Sequence, residues 1–210
     1  MNAPDIRPGP RKSIQGRSLQ IRRLLESDAK QLHDKYFLST SFRSRYRPHD
    51  QSNCLETTRI ILKEHHSVMA NSCSPTFEYG FFNQAELCGL FTLAAIDTNA
   101  MNAEVLFGIF KTNNNGLRPS VGEAILLGLD LAFNHIQLHR IYAHIFSDNQ
   151  RACRSILHCG FQREGRLREH AFVGGEYKDM DIYSCLKQDL IVNRNVLKYQ
   201  EKLLGYKAFQ

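Results

Sequence analysis

Lys111 to Glu123 is the segment of this 210-residue chain where residue type and spacing point most directly to chemistry. Gly116, Leu117, Arg118, Ser120, Val121 and Gly122 fall within it. Ser120 and Glu123 have the spacing of a capping box at a helix start. A loop that leaves a strand and opens a helix aims backbone N–H groups and the positive end of the helix dipole at whatever sits there. It is therefore a place to hold phosphates. Pro119 removes one donor, but the amides of Ser120, Val121 and Gly122 remain, with a charge from Arg118 and a hydroxyl from Ser120. The histidines lack the spacing of metal ligands: His65 and His66 lie on a helix surface, His158 adjoins Cys159, and His170 precedes a hairpin. No metal is expected.

The elements that must position this loop follow from hydrophobic periodicity. Leu19–Leu24 reads as a first strand. Asp28 precedes a helical run with Leu32, Tyr36 and Phe37. Asn53 and Glu56 open a second helix that carries Leu55, Ile61, Leu62 and Met69. Thr76–Asn83 and Leu87–Ile96 read as a hairpin, and Ala103–Phe110 extends it into an antiparallel meander. After the loop, Ala124, Leu127, Gly128 and Leu131 share one helical face. Arg140–Phe146 alternates, with Ile141, Ala143 and Ile145 on one side and Tyr142 and His144 on the other, as in a half-buried strand. Ser147 and Gln150 are expected to cap the next helix, with Ala152 and Ile156 inward and Gly160 at its C-cap. This strand–helix–strand unit favours a parallel pair with a right-handed crossover. Ala171–Val173 and Tyr177–Leu186, joined by Gly174-Gly175, read as a second hairpin. Asp189–Leu204 reads as one last amphipathic helix.

Composition sets the class. Apolar residues make up 42% and charged residues 23% of the chain, which suits one soluble globular domain. No apolar run reaches about 18 residues, so neither a transmembrane helix nor a membrane partner is expected. Residues 1–18 are basic without an apolar segment and read as a disordered tail rather than a secretory signal. The six cysteines form no C-x-x-C pair, and most fall on apolar faces, which points to a reduced, cytoplasmic protein. The net charge of +6 suits anionic partners such as nucleotide-like cofactors. No nucleic-acid motif with stacking aromatics occurs, so nucleic acid is not expected as a partner.

The element order, together with GEAILLGLDLAFNHIQLHRIYAHIFSDNQRA and CGFQREGRLREHAFVGGEYKDMDIYSCL, resembles the GNAT acyl-CoA N-acyltransferases. The most similar subgroup contains ribosomal-protein and sugar-amine N-acetyltransferases. The resemblance covers roughly Leu19–Lys187. It implies an α/β (mixed α+β) fold with a splayed, mostly antiparallel central sheet flanked by helices. Residues 19–188 would form the acyltransferase domain, with 189–210 as a C-terminal helical extension.

What the resemblance implies for function is acyl transfer from acetyl-CoA, as co-substrate, to a primary amine by direct attack. The pantetheine arm would enter between Ala103–Phe110 and Arg140–Phe146. Cofactor contacts would come from Phe110, Lys111, Gly116, Leu117, Arg118, Ser120, Val121, Gly122, Glu123 and Asn149. The family's loop usually reads Gln/Arg-x-x-Gly-x-Gly/Ala, whereas its signature positions here hold Gly116, Pro119 and Val121. Losing one phosphate-facing hydrogen bond costs roughly 1.5–3 kcal/mol, so the alternative is a non-catalytic GNAT-like binding module with a degraded cofactor loop. Glu104 stands where many relatives place an acidic base. The general acid's position falls on Ile156, with Ser155 beside it, leaving Ser155, water, Tyr142 or His144 to protonate the thiolate. The acceptor would meet Arg43, Arg45, Arg47, His170 and Tyr177. Expected acceptors are an amino sugar, free or nucleotide-linked, or a protein N-terminus. A homodimer is a possible assembly.

Overall fold

The computed structural model describes residues 13–39, Phe42, 54–65, 76–110 and 120–210. The described strands form one eight-stranded sheet: β1 (Ile14–Gln15), β2 (Gln20–Arg23), β3 (Phe77–Asn83), β4 (Glu86–Asp97), β5 (Asn102–Ile109), β6 (Arg140–Phe146), β7 (Gln162–Val173) and β8 (Glu176–Leu186). Their spatial order is β1-β2-β3-β4-β5-β6-β8-β7. Every pairing is antiparallel except β5 with β6, the parallel pair expected from the sequence.

Two apolar layers cover the two faces. On one face pack α3 (Val121–Asp130, continued by a π-helical turn over Leu131–His135), α4 (Gln150–His158), α5 (Lys187–Val192) and α6 (Arg194–Leu204). Their Leu127, Ile156, Leu190 and Leu204 meet Phe77, Phe81, Phe91, Val105 and Ile141 of the strands. On the other face lie α1 (Ala29–Leu32), its π-helical continuation His33–Phe37, and α2 (Leu55–His65). There Leu32, Tyr36, Phe37 and Leu62 meet Phe82, Leu90 and Phe110. Alternation along each strand divides the residues between the layers: Phe81 belongs to the first and Phe82 to the second.

Several elements differ from the sequence expectation. The sequence predicts a disordered tail through residue 18, yet Ile14 and Gln15 pair with Ile21 and Gln20, and Ile14 is buried. Residues 1–12 lie outside the described residues. β7 begins at Gln162, nine positions before the expected Ala171. It is the last strand of the sheet, largely exposed on both faces, so its sequence carries no apolar alternation to read. The last helix is two helices. Asn193 adopts an extended backbone, and its Oδ1 accepts from the N–H groups of Asn195 and Val196, starting α6 afresh. The segment 189–210 also contributes Leu190, Val196, Leu204 and Phe209 to the first apolar layer.

Gly174 and Gly175 do make the expected turn, with φ of +65° and +86°. Gly160 ends α4 at φ +97°, where a Cβ would meet Leu190 Cδ2 at 2.8 Å. Cys88, Cys153, Cys159 and Cys185 are buried as free thiols, and burial pushes Cys159 up to about 12. Cys54 is exposed, and Cys73 lies outside the described residues. Among the described residues no helix is long and apolar enough to cross a membrane.

Candidate active site

The site begins where the sheet forks. β5 pairs with β6 through Asn102–Arg140, Ala103–Ile141 and Glu104–Tyr142, and the ladder ends there. Beyond it β5 stays with β4 as far as Gly89–Ile109, while β6 continues along β8 to Phe146–Met180. The two strands diverge after Glu104 and Tyr142. On the α3 and α4 side a small apolar cavity lies in the core between the two strands and these helices, lined by Phe91, Val105, Phe107, Ile125, Leu129, Ile141, Ile156 and Phe161. Nothing in the sequence distinguishes Phe91, Phe107 and Phe161, because a residue lining this cavity looks like any other core residue until the fork is known.

α3 opens at Ser120, the first described residue after β5 and Phe110. Ser120 is its N-cap, with Oγ accepting from the Glu123 N–H at 3.3 Å. Glu123 does not return the bond as a capping box would. Its buried carboxylate reaches instead to the amino-terminal segment and accepts from the N–H groups of Ser18 and Leu19. Val121 packs partly buried against the first apolar layer. Gly122 faces α6, where a Cβ would lie 3.3 Å from Leu203 Cδ1. Phe110 is buried in the second layer, its ring 4.7 Å from that of Phe42, and its N–H donates to Cys88 O. Lys111, Gly116, Leu117, Arg118 and Pro119 lie outside the described residues.

α4 opens just past the end of β6, where the Asn149 N–H donates to the Phe146 carbonyl at 2.8 Å. Its N-cap is Asn149, not Ser147: Asn149 Oδ1 accepts from the Ala152 N–H, and Gln150 Nε2 donates to the Ser147 carbonyl. The cap engages the side-chain oxygen of Asn149 and leaves its amide NH₂ as a donor. Ser155 donates its hydroxyl to the Arg151 carbonyl at 2.9 Å, while Ile156 next to it lines the pocket.

The polar groups of the fork lie on the opposite face of the sheet. Glu104 alternates with Ala103 and Val105 of the first layer and shares its side with Leu106, which packs on the second. Tyr142 and His144 likewise alternate with Ile141, Ala143 and Ile145. Glu104 Oε1 lies 2.8 Å from His144 Nδ1, both side chains being about one-quarter exposed. The His144 ring stacks on His170 with centroids 5.9 Å apart and planes at 26°, and Tyr142 meets it edge-on at 5.8 Å. Burial, then the nearby Glu104 charge, raises the Tyr142 hydroxyl above its ordinary value. An irregularity in the β7–β8 ladder between Leu167 and Ala171 accompanies His170, with Glu169 at φ +50° and its N–H donating to Asp179 Oδ1.

The structure thus brings Glu104 and His170 together through His144. Tyr177 stands apart, exposed near the hairpin turn with its ring 5.0 Å from Phe172. Arg43, Arg45 and Arg47 lie outside the described residues. The Glu104–His144 pairing was not visible in the sequence. It depends on the register of a parallel pair, which places Tyr142 opposite Glu104 and His144 two residues beyond.

A mixed sheet forked between its two parallel strands, with α3 and α4 packed on one face, defines the class of protein. A model of the acetyltransferase (GNAT) domain matches residues 21–182, and the chain belongs to that family. Acetyl-CoA is the co-substrate of GNAT acetyltransferases. The spermidine N(1)-acetyltransferase of Vibrio cholerae is 32% identical over 97 residues, 46% of this chain and 55% of that protein. The uncharacterized N-acetyltransferase YoaA of Bacillus subtilis is 32% identical over 103 residues, 49% of this chain and 56% of its own length. The chain spans a little over half the length of these curated relatives. Among solved structures, Vibrio cholerae spermidine N-acetyltransferase in complex with CoA and spermine has a TM-score of 0.68 at 22% identity, covering 82% of this chain and 97% of that one. Ribosomal-protein-S5-alanine acetyltransferase from Vibrio fischeri has a TM-score of 0.70 at 18% identity, covering 83% and 96%. At such identities the likeness establishes the fold.

Proposed function

We propose that the protein transfers an acetyl group from acetyl-CoA to a primary amine by direct attack. The observation that carries this reading is the fork: β5 and β6 share a ladder through only three residue pairs and then diverge over an apolar pocket. Past Glu104, the backbone groups of β5 on the side toward β6 are placed to pair with an extended, amide-containing arm. The start of α3, with Ser120, Val121 and Gly122, would offer amides to the pyrophosphate, and the NH₂ of Asn149, at the start of α4, would donate to the cofactor arm. Glu104 lies at the apex, where its charge attracts a cationic amine and favours proton removal. The acceptor is an amine able to approach from the α1 and α2 face. Spermidine, the acceptor in the name of one relative, joins amino sugars and a protein N-terminus as candidates.

Calorimetric titration with acetyl-CoA tests the reading, followed by thiol release with spermidine, glucosamine and an alanine-terminated peptide. Saturable heat and turnover of at least one amine are expected. Absence of heat at millimolar acetyl-CoA would overturn the reading in favour of a non-catalytic binding module.

A further inference from the structure

A carboxylate has no proton to give, so the short contact between Glu104 Oε1 and His144 Nδ1 requires the hydrogen to sit on Nδ1. In the neutral imidazole that leaves the lone pair on Nε2. A histidine whose Nδ1–H is held by a carboxylate, with Nε2 unprotonated and the ring partly open to solvent, is arranged as a general base oriented by its partner. The pair also spans the fork. The main-chain ladder ends at Glu104–Tyr142, and the next link between the strands is this side-chain bond from β5 to β6. The His144 ring meets Tyr142 on its own strand and His170 from β7, and its opposite number on β8 is the apolar Ile182. Glu104 is thus the anionic group bonded to the imidazole, and the His170 and Tyr142 rings limit its rotation.

We propose that Glu104 and His144 work as a dyad, with Glu104 positioning the imidazole and His144 Nε2 taking the proton from the acceptor amine. This rests on the acetyltransferase reading above and refines it, moving the base from the carboxylate to the histidine. The acceptor ammonium gives one proton to Nε2 and gains a lone pair. That lone pair attacks the thioester carbonyl carbon, the C–N bond forms, and the C–S bond breaks with its electrons on sulfur. The second proton shed by nitrogen balances the one the departing thiolate takes up. The proton held by His144 returns to solvent. Glu104 stabilises the imidazolium while it exists, at a contact where a charge-assisted hydrogen bond is strong.

Two measurements test the dyad. The first is kinetic. His144→Gln keeps a group able to hydrogen-bond Glu104 but cannot accept a proton, so kcat is expected to fall about a hundredfold or more with KM for acetyl-CoA nearly unchanged. In His144→Ala, added imidazole is expected to restore part of the rate, which a merely structural histidine would not allow. A His144→Gln enzyme within about threefold of the parent, or no imidazole rescue alongside an intact fold by circular dichroism, would overturn the proposal and return the role to Glu104 alone. The second is spectroscopic and needs neither acetyl-CoA nor turnover. Side-chain nitrogen NMR of the labelled parent protein is expected to show His144 with hydrogen on Nδ1, and a different tautomer balance in Glu104→Gln. Hydrogen on Nε2 alone in the parent would refute the dyad even if the enzyme is active. An inactive parent with the expected tautomer would remove the acetyltransferase reading and, with it, the proton-transfer step.

Discussion

Glu123 closes on Ser18, 105 residues earlier in the chain, with Oε1 accepting from the Ser18 N–H at 2.7 Å and Oε2 from its hydroxyl at 2.5 Å. The Leu19 N–H adds a third donor at 3.0 Å. The carboxylate lies so close to the chain that a Cβ on Gly16 would stand 2.6 Å from Oε1. An acidic residue in the first turn of α3 thus fastens the start of β2 to the helix proposed to hold the pyrophosphate.

Glu123→Gln can keep an amide oxygen on the Ser18 and Leu19 N–H groups and turn its NH₂ to the Ser18 hydroxyl, but all three bonds lose the charge that strengthens them. With the group buried, unfolding stability is expected to fall by about 1–3 kcal/mol. Urea denaturation at neutral pH reads this directly. An unchanged midpoint would mean that the clamp contributes nothing.

Gly128→Ala sets helix propensity against packing. Alanine in a helix interior gains about 1 kcal/mol over glycine. Here its Cβ would lie 2.3 to 2.9 Å from three atoms of the buried Phe91 ring. Overpacking of that kind costs about 1–3 kcal/mol, so a lower melting temperature is expected. Phe91 also lines the pocket beneath the fork, so calorimetry should show weaker acetyl-CoA binding in the same variant.

Acid sensitivity is expected to arise at β7 and β8. Hydrogen bonds from Arg140 and then Ser184 hold Glu164 down from 4.5 to about 2, and Arg166 followed by Arg163 hold Asp181 well below the usual carboxylate range. Both groups have lower values folded than unfolded. Their stabilisation is therefore present above the unfolded value and fades as pH falls through the folded one. For Glu164 that window runs from about 4.5 to about 2. Arg140→Gln should be slightly less stable than the parent at pH 6, by less than about 1 kcal/mol given the exposure of the pair, and the difference should vanish near pH 2. Urea midpoints across this range decide it.

Tyr206→Phe tests how the carboxy-terminal segment is held. The Tyr206 hydroxyl donates to the buried Asp130 at 2.6 Å, and Asn134 bonds both Asp130 and the Ala208 carbonyl. Removing the hydroxyl leaves Asp130 one donor short, with an expected loss of about 1–3 kcal/mol. Thermal melts should register it, and limited proteolysis should show earlier cleavage after residue 204.

Local chemistry decided what the sequence could disclose. β6 was legible to the residue, because one side is buried and the other is not. Gly160, Gly174 and Gly175 were legible because their backbones require positive φ. β7 was hidden by exposure on both faces. Asn193 was overlooked because apolar spacing runs straight through it, and the cap that divides the helix shows only in its hydrogen bonds. Ser147 and Asn149 are both capping residues two positions apart, and only the turn after β6 selects Asn149. At the site, Glu104 was reached through the family pattern. Its partner was not, since convergence of side chains across a fork belongs to strand register.

The brief β5–β6 ladder has a mechanical consequence. Three residue pairs make a short seam between a five-strand panel, β1 to β5, and a three-strand panel formed by β6, β8 and β7. A molecule threaded into the opening and bonded to both rims would lengthen that seam without any change in the chain itself. Occupancy would then be felt as rigidity: amide protons along the inner rims of both panels would exchange more slowly, and the panels would unfold as one body.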